Sequence, residues 1–133
     1  FFKMIADTSF IIDILREDEF AWELLNKFFS DKKTIYITSL TIFELWFGIY
    51  LSGNPTKEEK KVLKIVNDLP ILNFDREAGK ISGKINADLI NKGKPIKTAD
   101  VLIASIAINN NKTLITRDVK HFSKIKNLKV ISY

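Results

Sequence analysis

Four acidic residues stand where a parallel α/β chain could bring them to one place: Asp7, Glu44, Asp100 and Asp118. Asp7 directly follows the apolar run Met4-Ile5-Ala6, and Asp118 lies two residues past the run Thr113–Thr116. Asp100 falls in the first turn of the apolar helical stretch that leads into that second run, and Glu44 in the second turn of a helix that follows Ile35-Tyr36-Ile37. In parallel sheets ligands bind at the carboxyl ends of the strands, and crossover helices begin on that same edge. Two of the acids are poorly placed for solvent. On a helical wheel Glu44 sits beside Leu40 and Leu51, and Asp100 shares a side with Ala104 and Ala107. Gathered carboxylates about 5 Å apart repel by about 3 kcal/mol per pair at an effective dielectric of 20. A hard divalent cation with oxygen ligands, Mg2+ or Mn2+, removes that repulsion. The chemistry open to such a site is metal-assisted hydrolysis of a phosphodiester, in which a bound water is acidified and the phosphate polarised.

Each acid also has a plainer use. Asp7 could cap a first helix, Asp118 a short turn, and Asp100 could simply satisfy a helix dipole. Glu44, an acid inside an apolar arc, has fewer such uses. Asp13, Asp75 and Glu77 read as surface or capping acids.

The elements that must position the acids are short. Strands are expected at Met4–Ala6, Ile35–Ile37, Pro70–Leu72, Thr113–Thr116 and Leu128–Ile131. Helical periods fall at about 8–16, 19–30, 39–51, 57–67, 76–91 and 98–110. Short β-branched strands separated by helices predict βαβ units around a buried parallel sheet. Asp75 and Thr98 are expected N-caps, Asn54-Pro55-Thr56 an interruption, and Gly93 the close of the fifth helix. The stretches 19–30 and 39–51 are apolar over more than one face, so Trp22, Phe29 and Trp46 are expected to meet a partner protein.

Composition narrows the function classes. The 133 residues form one expected domain, 1–133, with 46% hydrophobic and 28% charged residues, an ordinary globular balance. There is no cysteine, which removes disulfides, thiolate metal sites and cysteine nucleophiles, and the single histidine, His121, rules out chemistry by a histidine pair. No apolar run is long enough for a membrane span and none resembles a secretory leader, so a soluble, cytoplasmic protein is expected. The formal charge is +5, and concentrating acids in one pocket makes the remaining surface more basic still, which suits a phosphate backbone. Lys57, Lys60, Lys61 and Lys64, or Lys92, Lys94 and Lys97, are candidate phosphate contacts.

Taken in order, Asp7-Thr8-Ser9, Glu44-Leu45 after Ser39-Leu40-Thr41, Asp100-Val101-Leu102-Ile103-Ala104 and Thr116-Arg117-Asp118-Val119-Lys120-His121-Phe122 resemble the PIN-domain family, specifically VapC-type toxin ribonucleases. The resemblance spans essentially the whole chain. It implies a three-layer α/β/α fold with a parallel sheet of order 3-2-1-4-5, and an endoribonuclease dependent on Mg2+ or Mn2+. Asp7, Glu44 and Asp100 match the family's strongest acidic positions, and Asp118 a more variable fourth. It further implies a homodimer, a cognate VapB-type antitoxin, and contact with operator DNA only through that antitoxin. Two other readings share the fold: a PIN-family nuclease of ribosomal-RNA maturation, and a non-catalytic RNA-binding module that would have lost several of these acids. A phosphotransfer receiver needs an acidic pair and a strand-end lysine that the chain lacks.

Overall fold

Strand residues of this chain alternate between two cores, and that alternation creates the layers. Successive side chains of a strand point to opposite faces. In β1 (Met4–Ala6), Met4 and Ala6 join one apolar cluster and Ile5 joins the other. In β2 (Ile35–Thr38), Ile35 and Ile37 join the first and Tyr36 the second. The same split separates Ile115 from Leu114 in β4 (Thr113–Ile115). The computed structural model describes residues 3–133.

The remaining elements are α1 (Thr8–Leu15), α2 (Glu19–Ser30), α3 (Ser39–Leu51), α4 (Pro55–Val66), β3 (Ile71–Leu72), α5 (Arg76–Asn91), α6 (Thr98–Asn109), α7 (Val119–Phe122) and β5 (Val130–Ile131). The five strands form one parallel sheet of order β3-β2-β1-β4-β5, with Met4 opposite both Ile35 and Thr113. Helices α1 to α4 supply the first core through Phe10, Ile14, Leu25, Phe28, Leu45, Ile49 and Val62. Helices α5 to α7 supply the second through Leu89, Ile103, Ile106 and Phe122. The expected three-layer arrangement and strand order are both present. Strand order reverses between β1 and β4, and this switch point is where a parallel sheet leaves a crevice.

Local chemistry sets the element ends and corrects four of the expected features. Asp75 caps α5, accepting from Ala78 N–H at 2.9 Å. Gly93, at φ +67°, closes α5: its N–H reaches Ile90 O and Lys94 N–H reaches Leu89 O, the paired bonds of a Schellman motif. Asn54-Pro55-Thr56 does break the chain after α3, but Pro55 and Thr56 already belong to α4, two residues before its expected start. Asn54 Oδ1 accepts from Lys57 N–H, and Pro55 occupies the first turn, where its missing N–H removes no bond. Thr98 is not a cap. Lys97 holds that position and Thr98 is already helical, so no side chain caps α6. The residues after Asp118 form a short helix, α7, with no counterpart among the expected elements. Asp13 is not a surface acid but lies buried in α1. No helix among the described residues is long and apolar enough to cross a membrane.

Candidate active site

The acid after β1 shows how the fold treats these carboxylates. Asp7 occupies the N-cap position of α1, yet its side chain makes no capping bond. Instead Oδ2 accepts from the hydroxyls of Ser9 (2.9 Å) and Thr116 (2.8 Å). Thr116 directly follows β4, so the ends of the two strands flanking the switch point are tied through one carboxylate oxygen. Asp7 is 3% exposed, and burial pushes its pKa up to about 6 against the opposition of those two hydroxyls.

The other acids reach the same cleft by different routes. Thr38 turns β2 into α3, its hydroxyl capping Thr41 N–H at 3.1 Å, and Glu44 then falls one turn further in. Glu44 Oε1 accepts from Thr8 Oγ1 at 2.8 Å, and Oε2 pairs with Lys97 Nζ at 3.0 Å. Asp100 lies in the first turn of α6 and is largely buried. Its pKa is also raised, chiefly by burial, with Lys97 and His121 acting against the rise. Asp118 precedes α7 without a side-chain capping bond, and its N–H donates to Thr116 Oγ1 at 3.0 Å. The plain capping readings of Asp7 and Asp118 therefore fail on geometry.

These residues meet. Asp7, Glu44, Asp100 and Asp118 line one cleft of ≈ 150 Å³ together with Thr8, Ser9, Ile12, Lys97 and Arg117. Among the described residues, no three acids stand close enough to share an ion as they are placed. Glu44 is held by Lys97, and Asp100 has His121 Nδ1 at 3.5 Å from Oδ2. The donors themselves are carboxylate and hydroxyl oxygens, the hard ligand set that Mg2+ or Mn2+ prefers. Two buried carboxylates with raised pKa values are the groups a cation would relieve.

Three participants escaped the sequence reading, or were given other roles. Lys97, a candidate phosphate contact by its sequence, instead lines the cleft and supplies a counter-charge to Glu44. His121, on α7, neighbours Asp100. Arg117, beside Asp118 in the same motif, also lines the cleft. A second, larger cleft of ≈ 350 Å³ runs between α1, α3 and α4, lined by Ile12, Leu15, Leu45, Ile49 and Val62, and opens beside Glu44. Trp22 and Trp46 are partly buried against the first core, whereas Phe29 is 53% exposed.

Comparison with known proteins gives the same answer as the geometry. The PIN domain family matches residues 4–128. Ribonuclease VapC2 of Rickettsia felis is 35% identical over 106 residues, covering 80% of this chain and 76% of that protein. The tRNA(fMet)-specific endonuclease VapC of Salmonella typhimurium is 27% identical over 128 residues, 96% of each chain. Among solved structures, VapBC2 from Rickettsia felis bound to a DNA fragment from its promoter superposes with a TM-score of 0.90 at 27% identity, covering 98% of both chains. An acid-lined crevice at the switch point of a 3-2-1-4-5 sheet, matched along nearly its whole length, leaves one assignment: the chain belongs to the PIN-domain family, among relatives that are VapC ribonucleases.

Proposed function

We propose that this chain is a metal-dependent endoribonuclease, the toxin of a VapBC-type toxin–antitoxin pair, and that Asp7, Glu44, Asp100 and Asp118 form its catalytic and metal-binding site. The observation that carries the reading is the convergence of acids from four segments on one cleft at the β1–β4 switch point. Asp7 and Asp118 both sit at helix starts without serving as caps there.

Asp7, Asp100 and Asp118 would hold Mg2+ or Mn2+, with Glu44 as a further ligand or as the group that orients water. The ion, when bound, supplies a Lewis acid for the phosphate and acidifies its water. The chain's own residues do the rest. Ser9 and Thr116 fix Asp7 through one of its oxygens. Thr8, itself 2.9 Å from the Thr41 hydroxyl, orients Glu44. Lys97 neutralises Glu44 until substrate or metal arrives. Single-domain organisation and a cytoplasmic RNA substrate complete the reading. A relative named for tRNA(fMet) makes structured RNA the first substrate class to try.

The groove beside Glu44, with its apolar floor and Arg16 and Lys61 at its edge, suits the apolar segment of a VapB-type antitoxin, and solved relatives are VapBC complexes bound to DNA. A second copy of the chain would cover the outer face of α3, and operator DNA would be reached only through the antitoxin.

Replacing Asp100 with Asn tests the site, since it removes one charge at nearly constant shape. The wild type should cut structured RNA with Mg2+ or Mn2+ and gain melting temperature from the metal by mass action. Asp100→Asn should cut none, gain less from metal, and melt at or above the wild type in chelator. A variant that is destabilised in chelator and still cuts RNA overturns the assignment of Asp100.

A further inference from the structure

We propose that Arg117 is a substrate-binding residue of this cleft, its guanidinium fixed from behind by Asp13 and Tyr133 so that its free donors meet a phosphate of the RNA strand. The inference rests on the nuclease reading above and adds to it a contact residue and two positioning residues.

Asp13 supplies the first part of the argument. It lies on α1 with a side chain only 7% exposed, and a buried carboxylate must be paired. Both its oxygens are committed. Oδ1 accepts from Arg117 Nη1 at 2.5 Å, and Oδ2 accepts from the Tyr133 hydroxyl. Tyr133 is itself anchored, its ring packed on that of Phe10 at 5.1 Å between centroids. Burial, then the bond to Asp13, pushes the phenol's pKa well above its ordinary range, so it remains a donor.

Arg117 supplies the second part. This guanidinium is 49% exposed and lines the acidic cleft, so pairing with Asp13 leaves part of it open to a ligand there. One nitrogen is used by Asp13. Among the described residues, Nε and Nη2 have no partner. Its backbone N–H donates to Ser9 Oγ at 3.2 Å, and the preceding Thr116 hydroxyl donates to Asp7. The cation is therefore stitched to the same residues that hold the first acid. An RNA strand entering an acidic cleft meets repulsion, and a fixed cation on the wall offsets it. Arginine's planar fork suits a phosphate, and anchoring reduces the rotamer freedom lost on binding.

The test uses a fluorescein-labelled RNA hairpin with a mixed-sequence single-stranded loop. Cleavage kinetics are followed with Mg2+, and anisotropy in chelator is followed across a salt series. Arg117→Met should raise KM about tenfold while kcat changes less than about threefold, and should flatten the salt slope of binding by about 0.7, one phosphate on a single strand. Arg117→Lys should restore much of the slope but less of the affinity. Asp13→Asn should raise KM in the wild type and add nothing further in an Arg117→Met background. If Asp13→Asn fails to fold, Tyr133→Phe takes its place in the same cycle. An unchanged KM and slope in folded Arg117→Met overturns the contact. Equal effects of Asp13→Asn in both backgrounds overturn the positioning role. Binding needs no cleavage, so the two readings fail separately. Arg117-dependent binding without cutting would sink the nuclease reading alone, whereas normal cutting without any Arg117 effect would sink this one alone.

Discussion

At the scale of single residues, the cleft is organised around carboxylates that the fold itself disfavours. Asp7 has a folded-state pKa of about 6 against an ordinary 3.8, with burial the main cause. Between those values the folded protein holds a proton that the unfolded chain has released, so metal-free stability falls as pH rises through this window. A shift of about two units corresponds to about 3 kcal/mol once ionisation is complete. Asp7→Asn keeps a carbonyl oxygen where Oδ2 accepts from Ser9 and Thr116, and it removes the ionisation. Denaturant unfolding in chelator should show the variant gaining on the wild type from about pH 4 upward, with the difference complete near pH 7. Mg2+ should reverse the order by stabilising the wild type alone. A difference that does not vary with pH would mean that Asp7 is not ionising in a buried site.

At the scale of elements, helices carry chemistry that their own periodicity only half reveals. The strands, the helices over 19–30, 39–51 and 76–91, and the edge to which four acids lead were legible because each depends on local pattern, whereas the sheet order followed only from the family resemblance. Glu44 stood out as an acid in an apolar arc for the same reason. What pattern cannot supply is a partner distant in sequence. Lys97 lies 53 residues from Glu44, and Asp13 lies 104 from Arg117 and 120 from Tyr133. On its own helix Asp13 reads as a solvated acid, and only the crossing of α1, the loop after β4 and Tyr133 makes it buried. Helix α7, at four residues, is too short for any periodic signal. Lys97, at the head of α6, joins that helix to α3, and the bond to Glu44 raises its pKa, so the amine stays charged through its ordinary 10.5. Its side chain is 64% exposed, which limits the pair to about 1 kcal/mol or less. Lys97→Met should lower the metal-free melting temperature slightly and tighten Mg2+ binding in calorimetry, because Glu44 loses a competing cation. Weaker Mg2+ binding in this variant would show that Lys97 assists the metal rather than standing in for it.

At the scale of the whole molecule, one surface remains more apolar than folding alone requires. Phe43, Phe47, Tyr50 and Leu51 follow one another at helical spacing on α3 and are 64%, 57%, 69% and 72% exposed. Leu45 and Ile49 on the other side of the helix already fill the core, so the stripe contributes little to the fold of one copy. Phe43 and Phe47 stack nearly parallel, with centroids 5.9 Å apart. A contiguous apolar patch of this kind marks a protein contact. The groove and the stripe are separate surfaces: the groove lined by Leu15, Leu45 and Val62 lies toward α1 and α4, whereas the stripe lies outward. On the reading above the groove takes the antitoxin and the stripe takes a second copy. Phe43→Ser/Phe47→Ser removes the stack without touching the core, so thermal stability of the isolated chain should change by less than about 1 kcal/mol relative to a monomeric wild type. In sedimentation the wild type should run as a dimer at micromolar concentration and the double variant as a monomer, with antitoxin binding retained by both. A wild type that is monomeric alone, or a variant that stays dimeric but no longer binds antitoxin, would exchange the occupants and assign the stripe to the antitoxin.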